Sequence, residues 1–442
     1  MKKCLQQLLT TKDIHLEREL LKTQSYDIAM GMKDFHHEDQ ISLMKCFPIE
    51  KGAKILSYLT PEEQYNIYTN LSVDKGEKLL ARQSIDDLVD VILSIHPLQA
   101  EKLIQLLSEE SQQKIRDLLV FQPGTAGSLM TIDYIAAREN WKVKDTLSHI
   151  RKIGAGVESI SYIYVLDTRG QLNGIVSIRE LLLASDDMTL SSIMASDVIS
   201  VSVDLDQQEA VQKLMDYDLS AIPVTTMENR MIGIITFDDA MDVFEEEATE
   251  DIQKLGGSTP LDKPYFETSI WHIYRKRIGW LLLLFVAEAY TGSVLRHYEE
   301  TLTHVVALAF FIPLLIGTGG NTGTQVVTTL VRAVALNEVK FKDIFRVMKK
   351  EALVGVLLGL TLAVAALIRA YTLGVGTEVA QVVAITGLFI VIWSSIVSSV
   401  LPLILNKLKL DPAVISGPFI TTLVDGTGLV LYFTIAKMLL GL

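Results

Sequence analysis

Gly317-Thr-Gly-Gly-Asn-Thr-Gly-Thr-Gln325 sets four glycines and five polar residues inside an apolar run over 305–331. A run of that length matches the ~20 residues that a helix needs to cross the hydrocarbon of a bilayer. Outward from it, apolar stretches of comparable length lie at 278–295, 352–368, 379–405 and 413–442. Five membrane helices are therefore expected over 269–442. Backbone freed at membrane depth is tolerated only against protein or water, so the glycine segment is expected to interrupt its helix and line a cavity. The alternative keeps the helix whole and uses Gly319-x-x-x-Gly323 as a packing surface. Asn321 and Gln325, in the same segment as Gly320, favour the cavity, because packing has no need of their amide oxygens.

The fifth stretch contains Thr421-Thr-Leu-Val-Asp425-Gly-Thr-Gly-Leu-Val. A carboxylate at that depth costs about 2.5–3.5 kcal/mol on insertion scales, so Asp425 is expected to face an ion path, with Thr421 one turn away. A protonated Asp425 bonded to a neighbouring helix is the alternative. Glu288, in the first stretch, either touches the pore wall or makes a structural hydrogen bond. Oxygen donors of this kind suit a hard cation, magnesium or calcium, and magnesium surrenders its waters reluctantly.

Charge divides the chain. Residues 271–442 carry 14 Lys/Arg and 9 Asp/Glu, whereas residues 1–270 carry 26 and 44, so net charges of +5 and −18 make up the total of −13. An acidic half of that size excludes nucleic acid as a partner and makes divalent cations its natural counter-charge. Arg275-Lys-Arg277, the 340–350 loop and Lys407 with Lys409 lie on one side of the spans, against Arg296, Arg369 and Lys437 on the other. Excess positive charge marks the cytosolic side, so a multi-pass protein of the cell membrane is expected, N-terminus cytosolic and C-terminus outside. Met1-Lys-Lys-Cys-Leu-Gln-Gln is too polar to read as a signal peptide, and Cys4 and Cys46 alone suggest no disulfide framework. No phosphate loop, nucleophile elbow or zinc spacing points to an enzyme.

Residues 1–126 read as short amphipathic helices, with Thr60-Pro61-Glu-Glu as a capped helix start. Repeated helix pairs of this length suggest a small right-handed superhelix, an irregular bundle being the alternative. Residues 127–190 and 191–243 form an internal repeat. Ser128-Leu-Met130 recurs as Ser192-Ile-Met194, and the strand, turn, Gly174-Ile-Val and helix of the first copy recur around Gly233-Ile-Ile in the second. This order resembles a tandem pair of CBS modules. The acidic run from Asp238 to Leu255 reads as one helix stopped by Gly256-Gly257, within a connecting segment over 244–268. It is either a solvated connector or a gate.

The whole order resembles the MgtE family of magnesium channels and transporters. Gly319-Gly-Asn-Thr-Gly323, Asp411-Pro-Ala, Ser416-Gly-Pro418 and Asp425-Gly-Thr-Gly428 carry the resemblance; Thr324 stands where the family has Asn, and Glu180 where it usually has Asp. The implied fold is a cytosolic all-α N-terminal domain, an α/β tandem CBS pair, a connecting (plug) helix and a five-helix α transmembrane domain. The implied assembly is a homodimer in which two copies of Asp425 hold hydrated magnesium in a central pore. Matching positions imply magnesium sensing by Asp86, Asp90, Asp239, Asp242, Glu247, Glu250, Asp251 and Asp411, the pore closing when these sites fill. They also imply ATP at the CBS modules, through Tyr162, Arg179 and Glu180. A secondary transporter coupled to an ion gradient, with nucleotide sensing in the CBS pair, is the competing expectation.

Overall fold

The computed structural model describes every residue of the 442 except 12, 13, 155, 156, 158, 267 and 442. It divides into two compact units, Met1–Phe244 and Glu245–Leu442.

In the first unit, short helices run from Lys2–Thr11 to Glu109–Leu118. Thr60 caps the helix Pro61–Asn70 by accepting from Glu63 N while the Glu63 carboxylate takes the Thr60 N–H, so both orphan donors are satisfied. The apolar faces of these helices, including Leu43, Tyr68 and Leu88, close on a core that continues into the second of two small sheets through Ile222, Val224 and Ile235.

The sheets have the same build. Strands β1 (Ile135–Ala137), β2 (Tyr162–Leu166) and β3 (Leu172–Ser177) pair in that order, as do β4 (Val201–Ser202), β5 (Ala221–Thr225) and β6 (Met231–Thr236). In each, the first pair is parallel and the second antiparallel. The repeated methionines exchange partners. A Cβ at Gly233 would stand 2.7 Å from Met130 Sδ, and one at Gly174 would stand 2.6 Å from Met194 Sδ. Thr131 bonds Ile234 in both directions, and Ala195 bonds Ile175 likewise. Each copy thus supplies the segment that packs on the other's third strand, and only glycine leaves room for it. Both glycines are the third residue of their strands.

Phe237–Leu255 is one helix, beginning seven residues before the expected connecting segment and ending thirteen residues short of its expected close. It stops where Gly257 takes φ +72° and Ser258 N reaches back to Gln253 O at 3.0 Å, a left-handed cap that glycine adopts without strain.

The second unit holds five long apolar helices: span 1 (Ile270–His297), span 2 (Val306–Ala335), span 3 (Phe341–Leu373), span 4 (Thr377–Lys407) and span 5 (Gly417–Leu440). Spans 4 and 5 are central, 44% and 50% buried over their most apolar stretch, whereas spans 1 and 3 are outlying at 17% each. One expectation is overturned. The Gly317–Gln325 segment does not break its helix, which runs continuously from Ile312 to Ala335. The irregular backbone lies upstream, in the 3-10 turn Val306–Phe311. Pro313 fits the first turn of a helix but cannot extend one from upstream, which puts the discontinuity before it. Buried Tyr432 OH donates to Leu308 O at 2.9 Å, satisfying part of that irregular backbone from span 5.

Candidate functional site

Span 2 presents two unlike faces. Its glycines are the packing face: a Cβ at Gly319 would stand 2.7 Å from Ile390, one at Gly320 2.7 Å from Thr421, and one at Gly323 2.5 Å from Ile420 and 2.8 Å from the hydroxyls of Ser394 and Ser398. Ser394 Oγ donates to Gly319 O at 2.7 Å. Close approach of spans 4 and 5 thus accounts for the glycines without any break. Asn321 and Gln325, four residues apart and hence on one side of the helix, are exposed in the single chain. Amide groups turned outward at membrane depth need water or protein against them.

Asp425 sits on span 5, 8% exposed, and its Oδ1 is buried with no hydrogen-bond partner among the described residues. Glu288 of span 1 is close enough to act on it electrostatically. The next residue, Gly426, lies under the ring of Tyr290, 2.4 Å from where a Cβ would stand. Thr421 belongs to the span 2 contact, and its hydroxyl donates to Gly417 O at 3.1 Å. The structure therefore gathers Asp425 with Glu288, and Gly320 with Thr421. The Asn321 and Gln325 side of span 2 is separate from its glycine contacts.

The soluble carboxylates form two groups, one in each unit. Asp86, on the helix Ile85–Ser94, is 8% exposed with Oδ1 unpartnered among the described residues. Burial, then the charges of Asp87 and Asp90, push it up to about 7. Asp239, in the first turn of the Phe237–Leu255 helix, is likewise pushed up to about 7 by burial and then by Asp86, with Asp238 and Asp87 adding to it. Thr236 Oγ1 donates to its carboxylate. Burial and then Asp238 raise Asp87 as well. Asp87 and Asp238 were missing from the sequence expectation; their signal was adjacency, each being half of an Asp-Asp pair. Asp242 lies a turn further along and is exposed.

The second group surrounds a cation that sequence reasoning also missed. Lys254 pairs with Glu250 and stands 2.6 Å from Asp411 Oδ2. Although burial opposes its charge, its hydrogen bonds to Asp411 and Glu250 hold it up at about 12. Asp411 Oδ1 accepts from Ala413 N at 2.8 Å, capping the turn that leads into span 5. Burial, then Asp411, with Glu247 and Glu250 contributing, raise Asp251. In neither unit do three or more His, Cys, Asp or Glu side chains among the described residues converge as a metal cage. The groups act on one another through their fields.

In the first sheet Tyr162 pairs directly with Ser177, the cap of the helix carrying Arg179 and Glu180. The register thus brings the three expected nucleotide-site residues together. The Glu180 carboxylate takes Ser177 N and Oγ at 2.9 and 2.8 Å, so it is already engaged in a capping box.

Known proteins resemble the chain in each of its parts. Residues 312–435 match the family model described as a divalent cation transporter, 23–124 the MgtE intracellular N domain, and 126–187 and 190–246 the CBS domain. The magnesium transporter MgtE of Thermus thermophilus is 37% identical over 440 residues, covering 99% of this chain and 98% of its own. The magnesium transporter MgtE of Bacillus subtilis is 30% identical over 413 residues, 93% of this chain and 91% of its own. Among solved structures, the cytosolic domain of the Mg2+ channel MgtE in complex with ATP matches with TM-score 0.52 at 32% identity, covering 55% of this chain and 100% of that one.

Proposed function

Because the chain belongs to the MgtE family of magnesium transporters, we propose that it is a magnesium-selective channel, gated by magnesium and working as a homodimer that admits the hydrated ion to the cytosol. The observation that carries this proposal is Asp425, a carboxylate in a membrane span with a buried, unpartnered oxygen. An ionisable group at that depth belongs to an ion path. Magnesium keeps its waters, so a path of carboxylate, hydroxyl and amide oxygens would read the ion through its hydration shell. In a dimer, the outward amides Asn321 and Gln325 would gain a polar surrounding, and two Asp425 carboxylates would supply the charge, with Glu288 behind them.

The soluble acids would set the gate. Asp86, Asp90 and Asp239 in one unit, with Asp242 a turn further along, and Glu247, Glu250, Asp251 and Asp411 in the other would be the sensing acids. Asp86 with Asp90 and Asp239, like Asp251 with Asp411, Glu247 and Glu250, repel. Magnesium between them offsets that repulsion and favours the compact, closed arrangement. We assign the helical domain to 1–126, the CBS modules to 127–190 and 191–243 and the membrane domain to 269–442, with the N-terminus cytosolic. ATP would enter at Tyr162 and Arg179 in place of direct contact with the magnesium path. The case for a gradient-coupled carrier rested on a helix broken at Gly317–Gln325, and that helix is continuous.

Magnesium flux into liposomes tests the pore. Asp425→Ala is expected to lower it at least about tenfold, the cost of losing one charged contact of about 1.4 kcal/mol. Undiminished flux removes Asp425 from the path, and saturation at low turnover in the unaltered protein indicates a carrier.

A further inference from the structure

Midway along span 4, the indole of Trp393 reaches across to span 5 and donates from Nε1 to Thr427 Oγ1 at 3.0 Å. Tryptophan in membrane proteins collects at the two interfaces, and an indole N–H away from water needs a partner of its own. Thr427 supplies one. Its hydroxyl hydrogen is spent within span 5, on Leu423 O at 2.9 Å, so toward Trp393 the oxygen accepts. Trp393 is 41% exposed and Phe389, one turn earlier, 51%, which places the bond on the outer face of spans 4 and 5.

Thr427 stands two positions after Asp425. On an α-helix that separation is about 200°, so Trp393 grips the side of span 5 nearly opposite the carboxylate. The buried Oδ1 of Asp425 has no partner among the described residues, so its position is set by how span 5 is turned about its axis. The helix is soft here, because Asp425-Gly-Thr-Gly428 contains two glycines, and glycine supports a helix less than any residue but proline. Neighbours approach at both: a Cβ at Gly426 would stand 2.4 Å from the Tyr290 ring of span 1, and one at Gly428 3.5 Å from Ile390 of span 4. These are apolar contacts, which have no preferred direction; the indole hydrogen bond has one.

We propose that Trp393 is a positioning residue for Asp425, its bond to Thr427 fixing the rotation of span 5 and with it the place of the carboxylate in the ion path. The role rests on the reading of Asp425 as a pore residue. A rotation that breaks the bond swings the carboxylate through the same angle, away from the path. Trp393 thus acts through span 5 and not on the ion.

Magnesium flux into liposomes, measured over a range of magnesium concentrations, tests it, because the amount of folded protein scales only the maximal rate. Trp393→Phe keeps an aromatic ring, Thr427→Val keeps the branched shape, and each removes the bond. Each should raise the half-saturating magnesium concentration about two- to tenfold, the range that one hydrogen bond covers. Thr427→Ser retains the hydroxyl and should stay within about twofold of the unaltered protein. The double variant should be no worse than either single one, since both changes delete the same bond. Phe389→Leu, on the same face, controls for packing and should leave the value in place. An unchanged value in Trp393→Phe, with flux still lowered by Asp425→Ala, overturns the positioning role and spares the pore reading; undiminished flux in Asp425→Ala overturns both. Additive losses in the double variant, or a Thr427→Ser protein that behaves like Thr427→Val, would also overturn the role, because packing and not the bond would then be at work.

Discussion

The acidic group around Asp86 and Asp239 and the one around Asp251 and Asp411 use the same side chains under opposite arrangements. In the first, Asp86, Asp87, Asp238 and Asp239 make no ion pair with a lysine or arginine among the described residues, and burial and mutual repulsion lift Asp86 and Asp239 to about 7. In the second, Lys254 is tethered among the acids and pairs with two of them. Repulsion in the first can be relieved only by protons or by a cation from solution. The second is already partly relieved by its own chain. The difference teaches that two acid-rich surfaces of one protein need not be equal sensors: the group without a cation should respond more steeply to magnesium.

Removing the repulsion by mutation gives the largest effect. In the full-length protein at pH 7.5, magnesium at millimolar concentration is expected to raise the melting temperature by about 4–8 °C, corresponding to a few kcal/mol in a unit of some 250 residues. Asp86→Asn with Asp239→Asn should reach the raised value without magnesium and gain little from adding it. If the double variant melts low and still responds fully to magnesium, the first group is not a sensor. Asn keeps the shape of both side chains, so a large loss of structure is not expected.

Protons should imitate the cation, with a smaller effect. Asp86 and Asp239 have folded pKa values raised from the ordinary 3.8 to about 7. The folded state therefore binds more protons than the unfolded one between these values, and stability falls as pH rises from about 4 to about 7. Without magnesium, melting at pH 5.5 should exceed that at pH 7.5 by about 2–4 °C. The gap should close in the double Asn variant. A melting temperature that rises from pH 5.5 to 7.5 would contradict the sign.

Much of this architecture could be read from the residues. Spans announce themselves by length and apolarity, and the CBS repeat by its two Gly-Ile copies, because both depend on local pattern. Gly317–Gln325 misled for a physical reason. Glycine removes a side chain without dictating a break, and whether the helix holds depends on what approaches it; Ile390, Thr421 and Ile420 do so from sequence positions about 70 to 100 residues away. The candidate acids were found singly, but their grouping depends on how the helix beginning at Phe237 meets the one carrying Asp86. Lys254 was passed over because one basic residue in an acidic helix looks like ordinary i,i+4 pairing with Glu250; its second partner, Asp411, is 157 residues away.

The smallest expected effect tests the comparison most directly. Lys254→Met removes the tethered cation while keeping the length of the side chain, leaving Glu250, Asp251 and Asp411 to repel as the first group does. The pair is partly exposed, with side chains 25% and 37% accessible, so solvent screening limits its worth to about 1 kcal/mol at most. Without magnesium the variant should melt about 1–2 °C lower than the unaltered protein. Magnesium should recover most of that loss, because a diffusible cation can occupy the place of the ammonium group. The concentration at which magnesium protects the 250–265 linker from protease should also shift, by roughly two- to fivefold. A loss of stability that magnesium fails to recover would mean that Lys254 is a structural strut between its helix and the turn before span 5. The two acidic groups would then differ in kind and not only in the source of their cation.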